Sequence, residues 1–295
     1  MAEVLRYTAF SADPSGGNPA GVVLDASGLD ADAMLAVAAE VGFSETAFLV
    51  PRGGGRFDVR YFSPRAEVSF CGHATIASAV AFAERSGERS GEGSNGSDGS
   101  DGDLLVYATP AGEVEVRTAR AGDGSWHATL TSVPTTTVEP SDGLVELLLE
   151  ALRWSPDDLD PALPVRVAYA GAWHPIVAAR SRRRLADLDY DLEGLAALMD
   201  RQRWTTVDLV WRESDDVFHA RNPFPPGGVV EDPATGAAAA AFGGYLRELE
   251  LLPPDGTFTV VQGVDLGRPS LLRVDVPLDP HRGVDVSGTA VPLPA

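Results

Sequence analysis

The run Glu231-Asp232-Pro233-Ala234-Thr235-Gly236, followed at once by Ala237 to Ala241 and then Phe242-Gly243-Gly244-Tyr245, constrains the fold of this chain more than any other stretch. Acids, a proline and small residues set just before a run of good helix formers mark a helix start. Backbone N–H groups at such a start lack intrahelical partners and attract anions. A helix so poor in bulky side chains accepts close neighbours on every side, which suits one threaded through a layer of strands or laid against a ligand. The plainer alternative is a small-residue helix that merely packs. A second stretch, Phe70-Cys71-Gly72-His73-Ala74-Thr75-Ile76-Ala77-Ser78-Ala79-Val80-Ala81-Phe82, repeats the plan of a small, polar turn opening an alanine-rich helix. Phe62-Ser63-Pro64 precedes it much as Phe224-Pro225-Pro226 precedes the first. The pair reads as an internal duplication, and two like units that each aim a helix N-terminus and polar side chains inward build a ligand site where they meet.

At 295 residues the chain has room for one large or two medium domains, and 44% hydrophobic content supplies ordinary cores. The formal charge of −20 speaks against nucleic acid or an anionic membrane surface as partner. All 23 basic residues are arginine, which excludes an internal Schiff-base lysine and a P-loop lysine. Cys71 is the one cysteine, so neither an intrachain disulfide nor a cysteine-based zinc cluster can form. No metal, nicotinamide or pyridoxal site is visible, and none is expected. The N-terminal residues lack a charged and apolar leader, and no apolar run approaches ~18 residues, so neither export nor a membrane span is expected and the cytoplasm fits.

Taken in order, Val4 to Phe10 and Ala20 to Leu24 have the composition of strands around the turn-rich Ser11 to Pro19. Ala31 to Val41 is a predicted helix stopped by Gly42. The strand that follows, Phe43 to Val50, carries one carboxylate, Glu45. Alternation puts Glu45 on one face with Phe43 and Ala47. Such a face desolvates a carboxyl group, and desolvation raises its pKa toward the range useful for proton transfer; a solvated sheet face is the alternative. His73 taken alone reads as a helix-start histidine bonded to backbone, and the duplicated context points instead to function. Ser86 to Gly102 is a low-complexity polar loop tip whose acids miss the spacing of a calcium loop. Further on, Leu185 to Arg201 is predicted as one helix, Val207 to Trp211 as a strand and Val284 to Val286 as a short strand. The first domain is expected over 1–118, with 284–295 returning to it, and the second over 119–283.

With those residues in view, the chain resembles the phenazine-biosynthesis PhzF-like isomerase family, within the diaminopimelate-epimerase-like fold. The resemblance runs nearly end to end. It is carried by Gly17-Asn18-Pro19-Ala20, Ser44-Glu45-Thr46-Ala47-Phe48, Phe62-Ser63-Pro64 with Glu67-Val68, and Cys71-Gly72-His73-Ala74-Thr75. In the second half it continues through Glu231-Asp232-Pro233-Ala234-Thr235-Gly236, Gln262-Gly263 with Gly267-Arg268-Pro269-Ser270, and Val286-Ser287-Gly288. It implies an α+β fold of two pseudo-symmetric domains, each wrapping a curved mixed or antiparallel sheet around a central helix, with the site in the cleft between them.

The same resemblance assigns acid/base catalysis to Glu45, supported by His73 and Asp232, and puts Gly72, Ala74, Gly236 and Ala237 beside the substrate. It implies a cofactor-independent isomerase that moves a proton within a small, carboxylate-bearing, cyclic unsaturated metabolite, of the trans-2,3-dihydro-3-hydroxyanthranilate isomerase type, assembled as a homodimer. Ala237 departs from the family pattern, which has serine there, so one hydroxyl that would hold substrate is missing. Two-thiol racemases of the same fold carry a second cysteine at the second turn, and composition excludes that chemistry here. Two other readings stay open: a binding protein that kept the cleft and lost the chemistry, and a one-thiol racemase or epimerase working through Cys71.

Overall fold

The computed structural model describes residues 2–90 and 102–294. Two compact units make up the chain, one formed by Met1–Thr131 with Ser287–Ala295 and the other by Ser132–Val286.

The first unit contains β1 (Leu5–Ala9), β2 (Asn18–Val23), α1 (Ala31–Val41), β3 (Glu45–Gly53), β4 (Arg56–Phe62), β5 (Glu67–Val68), α2 (Gly72–Ser90), β6 (Leu104–Thr109), β7 (Gly112–Arg120) and most of β8 (Trp126–Pro134). Strand order is β1-β2-β3-β4-β6-β7-β8, with antiparallel pairs at β1–β2, β3–β4, β6–β7 and β7–β8 and parallel pairs at β2–β3 and β4–β6. The last strand of the chain, β17 (Gly283–Pro292), pairs antiparallel with β1 through Tyr7↔Pro292 and also with β8, which closes the strands on themselves. In this unit Thr129 and Ser287 share a 2.8 Å hydroxyl contact, and the Thr289 hydroxyl donates to the Trp126 carbonyl.

Helix α2 packs against β1, β2, β3 and β7. Its residues from Ala74 to Ala81 are all buried, so no face of that stretch meets water. Small side chains at Ala74, Ala77, Ser78, Ala79 and Ala81 permit this. A helix polar on one face would have no place there. Two buried tyrosines meet its hydroxyl residues: Tyr61 shares a 2.6 Å bond with Thr75, and the Ser78 hydroxyl donates to Tyr107. Helix α1 lies elsewhere, with Met34 and Ala38 packed on Val23, Phe48 and Phe62. Asp30 caps its start by accepting from the Ala33 N–H, and Gly42 ends it in the left-handed conformation with φ 73°.

The second unit repeats this plan. It contains β9 (Thr136–Val138), α3 (Leu144–Leu152), β10 (Arg166–Tyr169), β11 (Trp173–Ala178), α4 (Arg182–Ala186), α5 (Leu192–Gln202), β12 (Asp208–Arg212), β13 (Val217–Pro223), β14 (Glu231–Asp232), α6 (Gly236–Glu248), β15 (Thr257–Gln262) and β16 (Ser270–Asp275). Across β10-β11-β12-β13-β15-β16 the pairs alternate antiparallel, parallel, antiparallel, parallel, antiparallel, the same succession as across β1-β2-β3-β4-β6-β7. The alanine helix α6 packs against β9, β10, β11 and β16, and Ala238 to Leu246 are all buried. A methyl group added at Gly243 would lie 2.8 Å from Val276 and 3.1 Å from Val284, so the strand side chains reach the helix backbone itself. Helices α3 and α5 form a separate apolar layer with Leu148, Leu152, Trp154, Leu195, Leu198, Met199 and Trp204.

Several sequence expectations shift. The single helix expected over Leu185 to Arg201 is two, α4 and α5, because Asp191 accepts from the Gly194 N–H and starts a new helix after the Asp187–Asp191 break. Helix α2 runs on to Ser90, five residues into the loop expected from Ser86, since Gly87 alone does not break a helix already anchored by its buried turns. The rest of that loop, residues 91–101, lies outside the described residues. The strand expected at Val284–Val286 extends over all of β17. Phe224-Pro225-Pro226 is also not the counterpart of Phe62-Ser63-Pro64. Strand register matches Thr46↔Phe62 with Leu209↔Arg221, which aligns Ser63-Pro64 with Asn222-Pro223, while Phe224 caps a 3-10 turn over Pro225–Gly227.

Candidate active site

In the first unit, three polar side chains meet where β3 begins and α2 begins. Glu45 is the first residue of β3 and pairs in parallel register with Ala20 of β2. Its Oε2 lies 3.5 Å from His73 Nε2 and 3.6 Å from Cys71 Sγ. Cys71 Sγ is 3.3 Å from His73 Nδ1, and the Ser44 hydroxyl is 3.4 Å from His73 Nε2. His73 is 5% exposed and Glu45 17% exposed. The imidazole is thus held almost out of water while the carboxylate keeps a solvent-facing side. That is the arrangement a proton shuttle needs, fixed by neighbours yet reachable.

The chain folds this way locally for identifiable reasons. Gly42 turns the chain out of α1 so that Phe43-Ser44 leads straight into β3. At the other side, Thr75 N–H and Thr75 Oγ1 both bond to the Cys71 carbonyl, at 3.0 and 2.7 Å, which fixes the entry to α2. Gly72 opens that helix, and Ala74 is fully buried behind it. The first N–H groups of α2 have no carbonyl one turn back, and they are the natural seat for an anion. Ser44 joins this cluster although nothing in the sequence singled it out, and Cys71 joins it from the alternative reading of a one-thiol racemase. The available signal was adjacency, since each lies within two residues of a group already singled out.

Asp232, Gly236 and Ala237 belong to the second unit. Asp232 ends β14 and accepts from the Thr235 hydroxyl at 2.6 Å. Gln262 braces the same turn: its amide nitrogen donates to the Asp232 carbonyl at 2.7 Å, and its oxygen accepts from the Thr235 N–H at 3.0 Å. Ser270 donates to the Pro233 carbonyl at 3.0 Å. The Gln262 and Ser270 motifs therefore hold the Asp232 turn in shape. Glu231 beside it is buried against Arg221, whose Nε donates to it at 2.9 Å, whose Nη2 reaches its other oxygen and whose Nη1 donates to the Ala186 carbonyl. Gly236 is buried and Ala237 partly exposed at the start of α6.

The duplication also gives Glu45 a counterpart. Asp208 is the first residue of β12 and pairs with Ile176, the residue after Pro175, as Glu45 pairs with Ala20, the residue after Pro19. Asp208 is buried, and Asn222 donates to it at 3.0 Å. The Thr206 hydroxyl donates to the side-chain amide oxygen of Asn222, Oδ1, at 2.7 Å, and His174 Nδ1 sits 2.8 Å from the Thr206 hydroxyl. The Thr206 proton is committed to Asn222, so His174 Nδ1 is the donor to Thr206. Its Nε2 is buried with no partner. Desolvation pushes the Asp208 carboxyl up to about 7 and the His174 imidazole down to about 4. Sequence reading did not single out any member of this network, because each residue type is ordinary in a strand and only the register brings them together.

An α+β unit built twice, each copy wrapping strands round a buried helix whose start carries polar groups, defines an epimerase-like protein. The chain belongs to the phenazine biosynthesis-like family, PhzC-PhzF, whose model matches residues 7–294. A Bacillus subtilis protein, the uncharacterized isomerase YfhB, is 31% identical over 98% of this chain and 96% of its own length. The trans-2,3-dihydro-3-hydroxyanthranilate isomerase of Pseudomonas chlororaphis is 30% identical over 96% of this chain and 94% of its own. Among solved structures, the Bacillus anthracis phenazine biosynthesis protein of the PhzF family matches with a TM-score of 0.83 at 25% identity, over 99% of this chain and 97% of that one. A probable proline racemase from Agrobacterium radiobacter matches at 0.63 and 13% identity, over 99% and 91%, which marks the shared fold. Among the described residues no helix is long and apolar enough to cross a membrane.

Proposed function

We propose that this member of the PhzF-like isomerase family shifts a proton between two carbons of a small, carboxylate-bearing, cyclic unsaturated metabolite, with Glu45 as the acid/base. Its substrate class follows the name of the Pseudomonas chlororaphis relative, a dihydrohydroxyanthranilate. The observation that carries the reading is the contact of the Glu45 carboxylate with His73 Nε2 at 3.5 Å, at the mouth of a helix start and with one side open to solvent. A single carboxylate in that position can take a proton from one carbon and return it at another, which requires no external reductant or oxidant. His73 orients the carboxylate, and the unpaired N–H groups of α2 favour the anionic substrate and the negative charge that builds as the proton leaves. Asp232, held by Thr235 and Gln262, is the second supporting group of the reaction. Ala237 offers no hydroxyl where the family serine stands, so the substrate is gripped with one hydrogen bond fewer.

A second reading has its own observation. Cys71 Sγ lies 3.3 Å from His73 Nδ1, within reach of a base that would make it a thiolate nucleophile or proton carrier, as in a one-thiol racemase. Exchange in heavy water separates the two. Incubation with a panel of dihydroanthranilates and cyclic unsaturated acids should wash deuterium into one carbon position. Glu45→Gln should reduce that exchange far more than Cys71→Ser does, and the reverse ranking would install the thiol reading. Binding without exchange across the panel would leave a binding protein.

A further inference from the structure

We propose that Val229 and Val230 are specificity-determining residues of the reaction: the connection from β13 to β14 presents them beside Asp232 as an apolar wall for one face of the substrate's ring. The inference rests on the reading of Asp232 as part of the reacting site. Val229 is 45% exposed and Val230 53% exposed, and they stand immediately before Glu231 and Asp232. Glu231 turns to the far side of the short strand, onto Arg221, so alternation sets Val230 on the side of Asp232, within roughly 7 Å of it, two residues of strand rise. Two half-exposed valines are too small for a stable protein interface, which buries about 800 Å² per partner, but they suit one face of a small ring.

The backbone that carries them is pinned. Register runs from Asn222↔Asp232 and Pro223↔Glu231 on to the Phe224 N–H, which donates to the Val230 carbonyl at 3.2 Å, and the Tyr190 hydroxyl donates to the same carbonyl. The Gly227 and Gly228 N–H groups close on the Phe224 and Pro225 carbonyls at 3.1 and 2.9 Å. Pro225 and Pro226 fix two further φ angles. Apolar side chains held in water on such a backbone contribute little to the fold, while a ligand that covers them gains contact with little ordering cost. The first unit makes the matching connection differently. Between β4 and β5 the segment Ser63 to Ala66 is shorter, and the Ser63 hydroxyl closes it by donating to the Ala66 carbonyl and accepting from the Arg65 and Ala66 N–H groups. No large apolar side chain is exposed in that segment. The valines are thus an addition of the second unit, in the connection that leads to its acid, and connections carried on a rigid scaffold are where binding residues concentrate.

Two probes test the wall in the full-length protein: deuterium exchange into trans-2,3-dihydro-3-hydroxyanthranilate, and equilibrium binding of anthranilate, a stable flat ring acid. Val229→Ser and Val230→Ser should each raise KM for exchange and Kd for anthranilate by about 3- to 10-fold, the worth of roughly half a buried valine. The value of kcat and the melting temperature should stay close to the parent's, since neither side chain belongs to the core. Val230→Leu should keep or tighten binding. Leu147→Ser, at a comparably exposed position of α3, should change none of these. Unchanged KM and Kd in the double variant Val229→Ser with Val230→Ser would overturn the wall, and exchange by the parent would then leave the isomerase reading standing. Weakened anthranilate binding in that variant, with no exchange by the parent, would keep the wall and remove the isomerase. A parent that neither exchanges nor binds would overturn both. A double variant whose sedimentation changes while its Kd does not would show that the valines meet a second copy of this chain, and would overturn the proposal.

Discussion

The first unit and the second share a succession of strand pairs, a buried central helix and an acid at the start of the corresponding strand, yet they use that acid in opposite ways. Glu45 keeps a solvent-facing side and touches a histidine and a thiol. Asp208, at the matching register position, is 2% exposed and faces an amide, with a threonine and a neutral histidine behind it. One copy of the scaffold leaves its acid a side open to solvent. The other spends the same position on internal hydrogen bonds. A duplicated fold thus supplies two equivalent sockets, and reactivity is decided by what lines each one rather than by the backbone that forms it.

The largest effect expected in this contrast lies in the second unit. Arg221→Ala would leave Glu231 buried without its partner beside Asp232, and an orphaned buried charge costs about 3–5 kcal/mol. Urea denaturation should show a loss of that size. A loss under about 1 kcal/mol would mean that the Asp232 turn does not depend on this pair.

In the first unit the corresponding substitution should cost activity rather than stability. Glu45→Gln keeps the shape of the side chain but cannot cycle a proton, and it should lower deuterium exchange by ~100-fold or more with little change in melting temperature. If Asp208→Asn instead produced the larger loss of turnover, the assignment of roles between the two acids would be inverted.

The central helices were legible in the sequence because both announce themselves locally, as small polar turns running into alanine. Strand alternation and the repeated turn singled out Glu45 and His73, whose side chains come within 3.5 Å of each other, while Asp232 was named through a resemblance to a known family. What escaped the sequence depends on register. Asp208, Asn222, Thr206 and His174 come from three different strands and the loop before one of them, and nothing in their spacing along the chain brings them together. The contact of Cys71 with Glu45 and His73 was missed for a related reason. A lone cysteine at a helix start reads as a small buried filler until its neighbours across the fold are known. The break between α4 and α5 was missed because leucine and alanine periodicity runs through it, while the decisive capping residue, Asp191, resembles the acids around it.

The helices themselves offer a finer comparison. Counting from Gly72 and Gly236, Ala79 of α2 and Gly243 of α6 hold the same place. Gly243→Ala gains up to about 1 kcal/mol of helix propensity, but its methyl group meets Val276 and Val284, and overpacking costs about 1–3 kcal/mol. A net loss on the order of 1 kcal/mol is expected. A stabilised protein would show that the strands round α6 yield as readily as those round α2.

The effect most specific to the Asp208 network is close to zero in the unmodified protein, because its two titrating groups oppose each other. The carboxyl of Asp208 titrates at about 7 in the folded chain against an ordinary 3.8, so between those values the folded state holds a proton that the unfolded chain has released. Its contribution to stability is greatest at low pH and falls as pH rises from about 4 to about 7. His174 titrates at about 4 against an ordinary 6.5, so over that interval the unfolded chain holds a proton the folded one lacks. Its contribution is greatest at neutral pH and falls as pH drops from about 6.5 toward 4. Each slope approaches about 1.4 kcal/mol per pH unit, with opposite sign, and across the shared window they largely cancel. Asp208→Asn should therefore expose a rise in stability from pH 4 to 6.5 that the unmodified protein lacks, and His174→Gln should expose a fall. Unfolding free energies measured across that window would contradict the network if both variants kept the parent's pH dependence.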